Sequence, residues 1–300
     1  MSTTILAIET SCDDTSASVI SDDIIKSNIV SSQLDHSKLG GVVPEIASRR
    51  HQKNITYIVN RALIESSTKL SMLNAIACTN GPGLLGSLLV GTSFAKSISY
   101  SLGIPLICVD HIKAHALSHT INTSKLDFPF ISLVVSGGHT QIMYIESYDN
   151  IKILGETRDD AAGEAFDKGA RIFGLDYPGG PEIEKCAQFG DSNLVKFPRA
   201  FINSRTIEFS FSGLKTSLLY YMDSFQETNG CTLSDVAASY QSAIIDCLVA
   251  KMKLATKLTS VNTISIAGGV AKNKFLRRSI DKNLSEKDII FPDLEYCTDN

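Results

Sequence analysis

"TILAIETSCDDTSASVI", Thr4 to Ile20, is the stretch on which the fold turns. It reads as an apolar strand, a polar turn and a second strand alternating apolar with polar residues, the pattern of a β-hairpin. The plan returns in "FISLVVSGGHTQIMYIE", Phe130 to Glu146. Behind the first hairpin, "MLNAIACTNGPGLLGSLLVGTSFAKSISYSLG" reads as strand, glycine-rich turn and helix, and "PLICVD" as a further strand. Behind the second, "VAASYQSAIIDCLVAKMKLATKL" has helical apolar spacing, and "TISIAGGVAKNKFLRRSI" is strand, glycine turn and helix. This order predicts an α/β fold of two hairpin-led halves, 1–125 and 126–300, with ligand in a cleft between two lobes.

Composition narrows the function. Lys+Arg number 28 against 32 Asp+Glu, a net charge of -4, which argues against holding nucleic acid by bulk charge alone. The 7 cysteines form no C-x-x-C pair and are odd in number, so neither a zinc ribbon nor a disulfide framework is expected, and a reducing compartment fits. "MSTTILAIET" has no basic region, and the most apolar stretch, "GLLGSLLVGTSFAKS", is broken by glycines, serines and a lysine. A cytoplasmic protein with no leader and no membrane contact is the expectation.

"DHIKAHALSH" puts His111, His115 and His119 at spacings of four, on one face of a helix, where two imidazoles can share a metal ion. The metalloprotease motif H-E-x-x-H is absent, because position 112 is Ile. Core or solvated histidines are the simpler alternative, and a third ligand would decide. Asp299 in "CTDN" is a candidate and Cys297 a competing one. Two histidines and a carboxylate leave open positions, as in Fe(II) sites, and zinc accepts the same set.

Three glycine turns, "SGGHT", "IAGGVAKNK" and "NGPGLLG", let backbone N–H groups approach a phosphate, although each alone reads equally as a tight turn. Asn273 opens the helix after the second of them, within reach of a nucleotide. Glu9, Asp13 and Asp14 crowd the first hairpin, and carboxylates so close must face water, a cation or a polar substrate. Asp159, Asp160, Glu164 and Asp167 form a second acidic run, with an exposed helix face as its simpler reading and a ribose or amine contact for Asp167 as the functional one. "SRRHQK", with Lys272, Lys274, Arg277 and Arg278, supplies candidate phosphate contacts.

Taken in order, "IETSCDDTSA", "GGVVPEIASRRH", "NGPGLLGSLLVG", "HIKAHALSH", "VVSGGHTQ", "DDAAGEAFDKGAR", "YPGGP", "FSFSGLKT", "GGVAKNKFLR" and "CTDN" resemble the tRNA N6-adenosine threonylcarbamoyltransferase family, in its bacterial branch. The resemblance implies two ribonuclease-H-like lobes of the actin, sugar kinase and heat-shock chaperone ATPase superfamily. It implies transfer of a threonylcarbamoyl group from threonylcarbamoyl-AMP to the N6 amine of adenosine-37 in tRNAs reading codons that begin with adenine. By resemblance, His111, His115 and Asp299 hold one divalent metal ion, iron(II) with zinc as the other choice, and Val134, Val135, Ser136, Gly137, Gly138, Asp167, Gly180 and Asn273 bind the adenylate. Asp13 or Asp14 is the expected base for the amine proton. The implied partners are tRNA, a non-catalytic paralogue forming a heterodimer, and a small ATPase. Family members usually carry a helical segment beyond "CTDN", and the second hairpin acid is Asp14 where Glu is frequent. The alternatives are an ATP-dependent sugar-kinase-like phosphotransferase and an inactive partner-binding scaffold.

Overall fold

The computed structural model describes residues 2–33, 41–121, 128–227 and 230–298. They form two compact units, one running to His115 and one from Ala116 to Thr298.

The first unit opens with the expected hairpin: β1 (Thr4–Glu9) and β2 (Asp14–Ser21), then β3 (Ile24–Ser32). Helix α1 (Pro44–Glu65), β4 (Ala75–Gly81), α2 (Leu85–Leu102), β5 (Leu106–Asp110) and α3 (His111–Leu117) follow. The sheet order is β3-β2-β1-β4-β5, with β1 antiparallel to β2 and parallel to β4, and β4 parallel to β5. Alternation in TILAIE buries Leu6 and Ile8 with Ala17 and Val19 of β2. Against them lie Ile55, Ile58, Val59 and Ala62, the helical stripe of α1.

The second unit repeats the plan with β6 (Phe130–Val135), β7 (Thr140–Ile145) and β8 (Ile151–Glu156). Helices α4 (Ala162–Phe173), α5 (Gly179–Cys186), α6 (Ser212–Asp223) and α7 (Leu233–Thr259) precede β9 (Thr263–Ala267), α8 (Lys274–Asn283) and β10 (Asp288–Ile290). Its order, β10-β9-β6-β7-β8, mirrors the first, with β6 antiparallel to β7 and parallel to β9. Central β6 is buried along its whole length, which is why FISLVV reads as an unbroken apolar run. Tyr240 of α7, fully buried, donates to the Ala165 carbonyl of α4 at 2.8 Å and ties the two helices.

Two expectations change. The division falls at 115/116, inside α3, instead of 125/126. The chain beyond Ala116 already packs with the second unit: His119 sets its ring edge-on against Phe130 of β6, 4.8 Å between centroids. For the same reason the three histidines do not share one helix face, because α3 ends at Leu117 and His119 sits in a 3-10 turn, Ser118–Thr120.

The acidic run "RDDAAGEAFDK" is structural in most of its members. Asp159 accepts from the N–H of Phe211 at 2.8 Å and of Ser212 at 3.3 Å, and from the hydroxyls of Ser210 and Ser212, so it caps α6 from a distant segment. Burial pushes its pKa up, yet these bonds outweigh that and hold it below the usual carboxylate value. The cap is therefore present above the unfolded pKa, about 3.9, and is lost only as pH falls through the lower folded value. Asp159→Ala should cost about 1 kcal/mol, read as a fall in Tm at neutral pH. Asp160 and Glu164 both bind Lys168 at 2.9 Å.

Candidate functional site

In the first unit, parallel strands β1, β4 and β5 end side by side, and the carboxyl ends of parallel strands are where α/β sheets present ligands. Glu9 closes β1. One carboxylate oxygen accepts from the Ser11 N–H, and the other accepts from the Thr79 hydroxyl at the end of β4 and lies 3.3 Å from His111 Nδ1, just past β5. The Ser11 hydroxyl is 3.2 Å from the same ring nitrogen. A carboxylate only accepts, so this arrangement favours the proton on Nδ1 and the ring lone pair on Nε2, as in metal-ligating histidines held by an acid behind them.

His111 and His115 are 6% and 5% exposed, their rings edge-to-face with centroids 4.6 Å apart. Buried, convergent imidazoles with an orienting carboxylate fit an ion that takes nitrogen and oxygen ligands. Among the described residues no group of three or more His, Cys, Asp or Glu is placed to hold a metal. The expected third ligand, Asp299, lies outside the described residues. Cys297, the competing ligand, is fully buried, with its thiol toward the carbonyls of Pro292 and Asp293. Burial pushes the Cys297 pKa up. His119 is also buried, and burial pushes its pKa down.

Asp13, in the turn from β1, and Asp14, the first residue of β2, are half-buried. The turn is braced by His51 of α1, which is fully buried. His51 Nε2 is 2.9 Å from the Cys12 carbonyl, and Nδ1 is 2.8 Å from the Thr15 hydroxyl. Since a carbonyl only accepts, Nε2 carries the proton and Nδ1 accepts from Thr15. The two bonds bracket the acid pair. Sequence reading singles out neither His51 nor Thr79, and takes Glu9 only as one of three acids facing water, a cation or a polar substrate; the signal for its inward role is an ionisable residue ending an apolar strand.

The turn "NGPGLLG" is crowded in part. A Cβ on Gly83 would sit 2.5 Å from the Ser11 carbonyl oxygen, and one on Gly91 would sit 2.2 Å from the Thr10 hydroxyl. Gly83 and, further along in α2, Gly91 let that helix close on the β1 turn, while Gly81 at the start of the turn has open space.

In the second unit, the turns after parallel β6 and β9 lie together. A Cβ on Gly268, where φ is +90°, would meet the Val135 carbonyl at 2.4 Å. Val134 and Val135 are buried core, Ser136 donates its N–H to the His139 carbonyl at 2.9 Å, and Gly137, Gly138 and Gly269 face open space. The first turn of α4 abuts this turn, with Gly163 N–H on the Ser136 carbonyl at 3.2 Å and Ala162 N–H on the Thr140 hydroxyl at 2.9 Å. These first amides of α4 are engaged within the protein, so it is the uncrowded pair Gly137–Gly138 whose backbone suits an anion. Asp167 accepts from the Gly179 N–H at 2.7 Å and so fixes the entry of α5, next to Gly180, which has open space. Asn273 is committed to the protein at both ends of its amide: its oxygen caps α8 by accepting from Leu276 N–H at 2.9 Å, and its nitrogen donates to Gln241 at 2.8 Å.

Residues 24–300 match the protein family described as tRNA N6-adenosine threonylcarbamoyltransferase. Curated proteins of that name are similar along nearly the whole chain. One from Thermosipho africanus is 50% identical, covering 99% of this chain and 90% of its own length, and one from Cytophaga hutchinsonii is 48% identical, covering 100% and 89%. Among solved structures, full-length HypF in its phosphate- and nucleotide-bound form superposes with a TM-score of 0.64 at 16% identity, over 99% of this chain and 53% of that one. The activator of 2-hydroxyisocaproyl-CoA dehydratase from Clostridium difficile gives 0.53 at 12% identity, over 98% and 89%. These likenesses show the fold alone. Matched to relatives over almost its whole length, the chain belongs to the tRNA N6-adenosine threonylcarbamoyltransferases, a family of acyltransferases.

Proposed function

We propose that the chain moves the threonylcarbamoyl group of threonylcarbamoyl-AMP onto N6 of adenosine-37 in tRNAs that read codons beginning with adenine. The observation that carries this reading is the split of chemistry between two like sheets. The parallel-strand ends of the second bear open glycine turns suited to a phosphate, and those of the first bear carboxylates and buried imidazoles.

Adenosine's amine is a weak nucleophile, its lone pair shared with the ring, so rate must come from orientation against an activated carbonyl. The N6–carbon bond forms as the bond from the carbonyl carbon to the phosphate oxygen breaks. AMP departs with that electron pair, and the amine proton passes to a carboxylate. We assign that carboxylate to the Asp13–Asp14 pair. The turn Ser136–Gly138 would take the AMP phosphate, with Asp167 and Asn273 holding the flanking backbone in shape. His111 and His115, with Asp299, would hold a divalent ion, iron(II) or zinc, whose Lewis acidity acts on carbonyl or carboxylate oxygen. Partners fit the same reading: Tyr57 and Ile64 of α1 and Leu85, Leu89 and Tyr100 of α2 are large exposed apolar side chains, suited to cover by a paralogous subunit, with a small ATPase completing the set.

The test is reconstitution with the paralogue, the ATPase, threonylcarbamoyl-AMP and unmodified tRNA, reading modified adenosine by mass spectrometry and bound iron and zinc by elemental analysis. Product from the wild type, loss of both metal and product in His111→Ala with His115→Ala, and a fall of about 10²–10⁴-fold in Asp13→Ala with Asp14→Ala are expected. Normal turnover in the last variant overturns the base assignment. ATP consumption with a small-molecule acceptor, unaffected by loss of the histidines, would make the protein a phosphotransferase.

A further inference from the structure

On the second unit, an open groove of about 1290 Å³ runs between α5 with the segment after it and α8. It is lined by Lys185, Lys274, Arg277, Arg278 and Lys282, against Glu184 and Asp246. Both acids are already engaged: Asp246 pairs with Arg199 at 2.7 Å, and Glu184 accepts from the Lys274 N–H at 2.6 Å. Arg277 is committed too, its Nε on the Ala271 carbonyl at 2.7 Å and its guanidinium over Phe291 at 4.3 Å. Lys185, Arg278 and Lys282 make no ion pair among the described residues, and all are exposed. In a chain of net charge -4, this is a local excess of cation. On the same wall Phe189 stands 89% exposed, at the end of a 3-10 turn.

Cations without ion-pair partners beside a bare aromatic ring, in a groove larger in volume than a typical small-molecule pocket, are the elements of a single-stranded nucleic acid site: phosphates on the basic side chains, a base stacked on the ring. We propose that this groove docks an unpaired RNA segment of the substrate, with Phe189 as the stacking platform and Lys185, Arg278 and Lys282 as backbone contacts. The proposal rests on the tRNA reading above and gives it a surface. A protein partner would be expected to bury a more apolar patch, and the aromatic here is isolated among charges.

The experiment is fluorescence anisotropy of a labelled anticodon stem-loop RNA over a KCl series, with the chain alone and in the reconstituted complex. Lys185→Gln/Arg278→Gln/Lys282→Gln should reduce the slope of log K against log[salt] by about 2, at roughly 0.7 per contact on a single strand. Phe189→Ala should weaken binding about tenfold or more, and a fully paired RNA of the same length should compete poorly. In turnover, both variants should raise the KM for tRNA and leave the KM for threonylcarbamoyl-AMP unchanged. Wild-type affinity and slope in both variants would overturn the proposal, as would equal competition by the duplex, or loss of paralogue capture with RNA binding intact. Because binding is read without chemistry, RNA binding at the groove in a chain that transfers nothing would sink the transfer reading and leave this inference standing.

Discussion

His51→Ala lowers the rate of transfer about a hundredfold while the KM for threonylcarbamoyl-AMP stays at its wild-type value. The side chain touches no substrate in the proposed chemistry. It acts through the turn, where its bonds to Cys12 and Thr15 flank the two acids. A displacement near 1 Å of a reacting group is enough for a loss of that size. Truncation also leaves a buried hydroxyl and carbonyl to find new partners, at about 1–3 kcal/mol, so a lower Tm is expected alongside. Rescue separates position from stability. Gln places an N–H where Nε2 was and should restore part of kcat through the Cys12 carbonyl. A variant with normal kcat and reduced Tm would show that His51 is only a core residue.

Gly163→Ala should raise the Kd for AMP at least tenfold and lower Tm. Elsewhere inside a helix, alanine for glycine gains up to about 1 kcal/mol. Here the sign reverses, because the new Cβ would lie 2.4 Å from the Ser136 carbonyl oxygen and 2.8 Å from Gly137 Cα, both backbone atoms of the turn assigned to the phosphate. Either α4 or the turn must move, and overpacking of this kind costs about 1–3 kcal/mol. Gly137→Ala is the control, since its Cβ would meet nothing within 4 Å. It should leave Tm unchanged and weaken AMP binding only by occupying the ligand's space. Calorimetric titration with AMP reads both, and unchanged affinity in the pair would remove the phosphate from this turn.

Much of this architecture is legible in the residues. Strand alternation in TILAIE and the uninterrupted apolar run FISLVV announce the two central strands, and both hairpins form where the polar turns stand. Helix ends are less legible: HIKAHALSH keeps a spacing of four through His119, yet α3 stops at Leu117 and His119 packs instead on Phe130, a contact no local spacing shows. Glycines mislead for a similar reason. NGPGLLG and SGG look alike as strings, yet Gly83 and Gly86 of the first receive neighbouring backbone and side chains while both glycines of the second open outward. The acid run around Asp159 reads as surface charge and serves as a remote helix cap, a role that requires knowing what lies 52 residues away. His51 was hidden because a histidine in a helical stripe carries no mark of its partners.

Glu9 has a consequence for how the protein reaches its working state. Its carboxylate ties Thr79 and His111, 70 and 102 residues onward, so the wiring of the first unit's site closes only after three strands distant in sequence have aligned. Contacts of that range are entropically late, whereas the β1–β2 hairpin and α1 are local. By this ordering a refolding chain acquires its first hairpin and α1 before its histidine geometry. The same ordering makes the site a sensor of completed folding: an intermediate with most of its backbone in place still lacks the arrangement on which transfer depends.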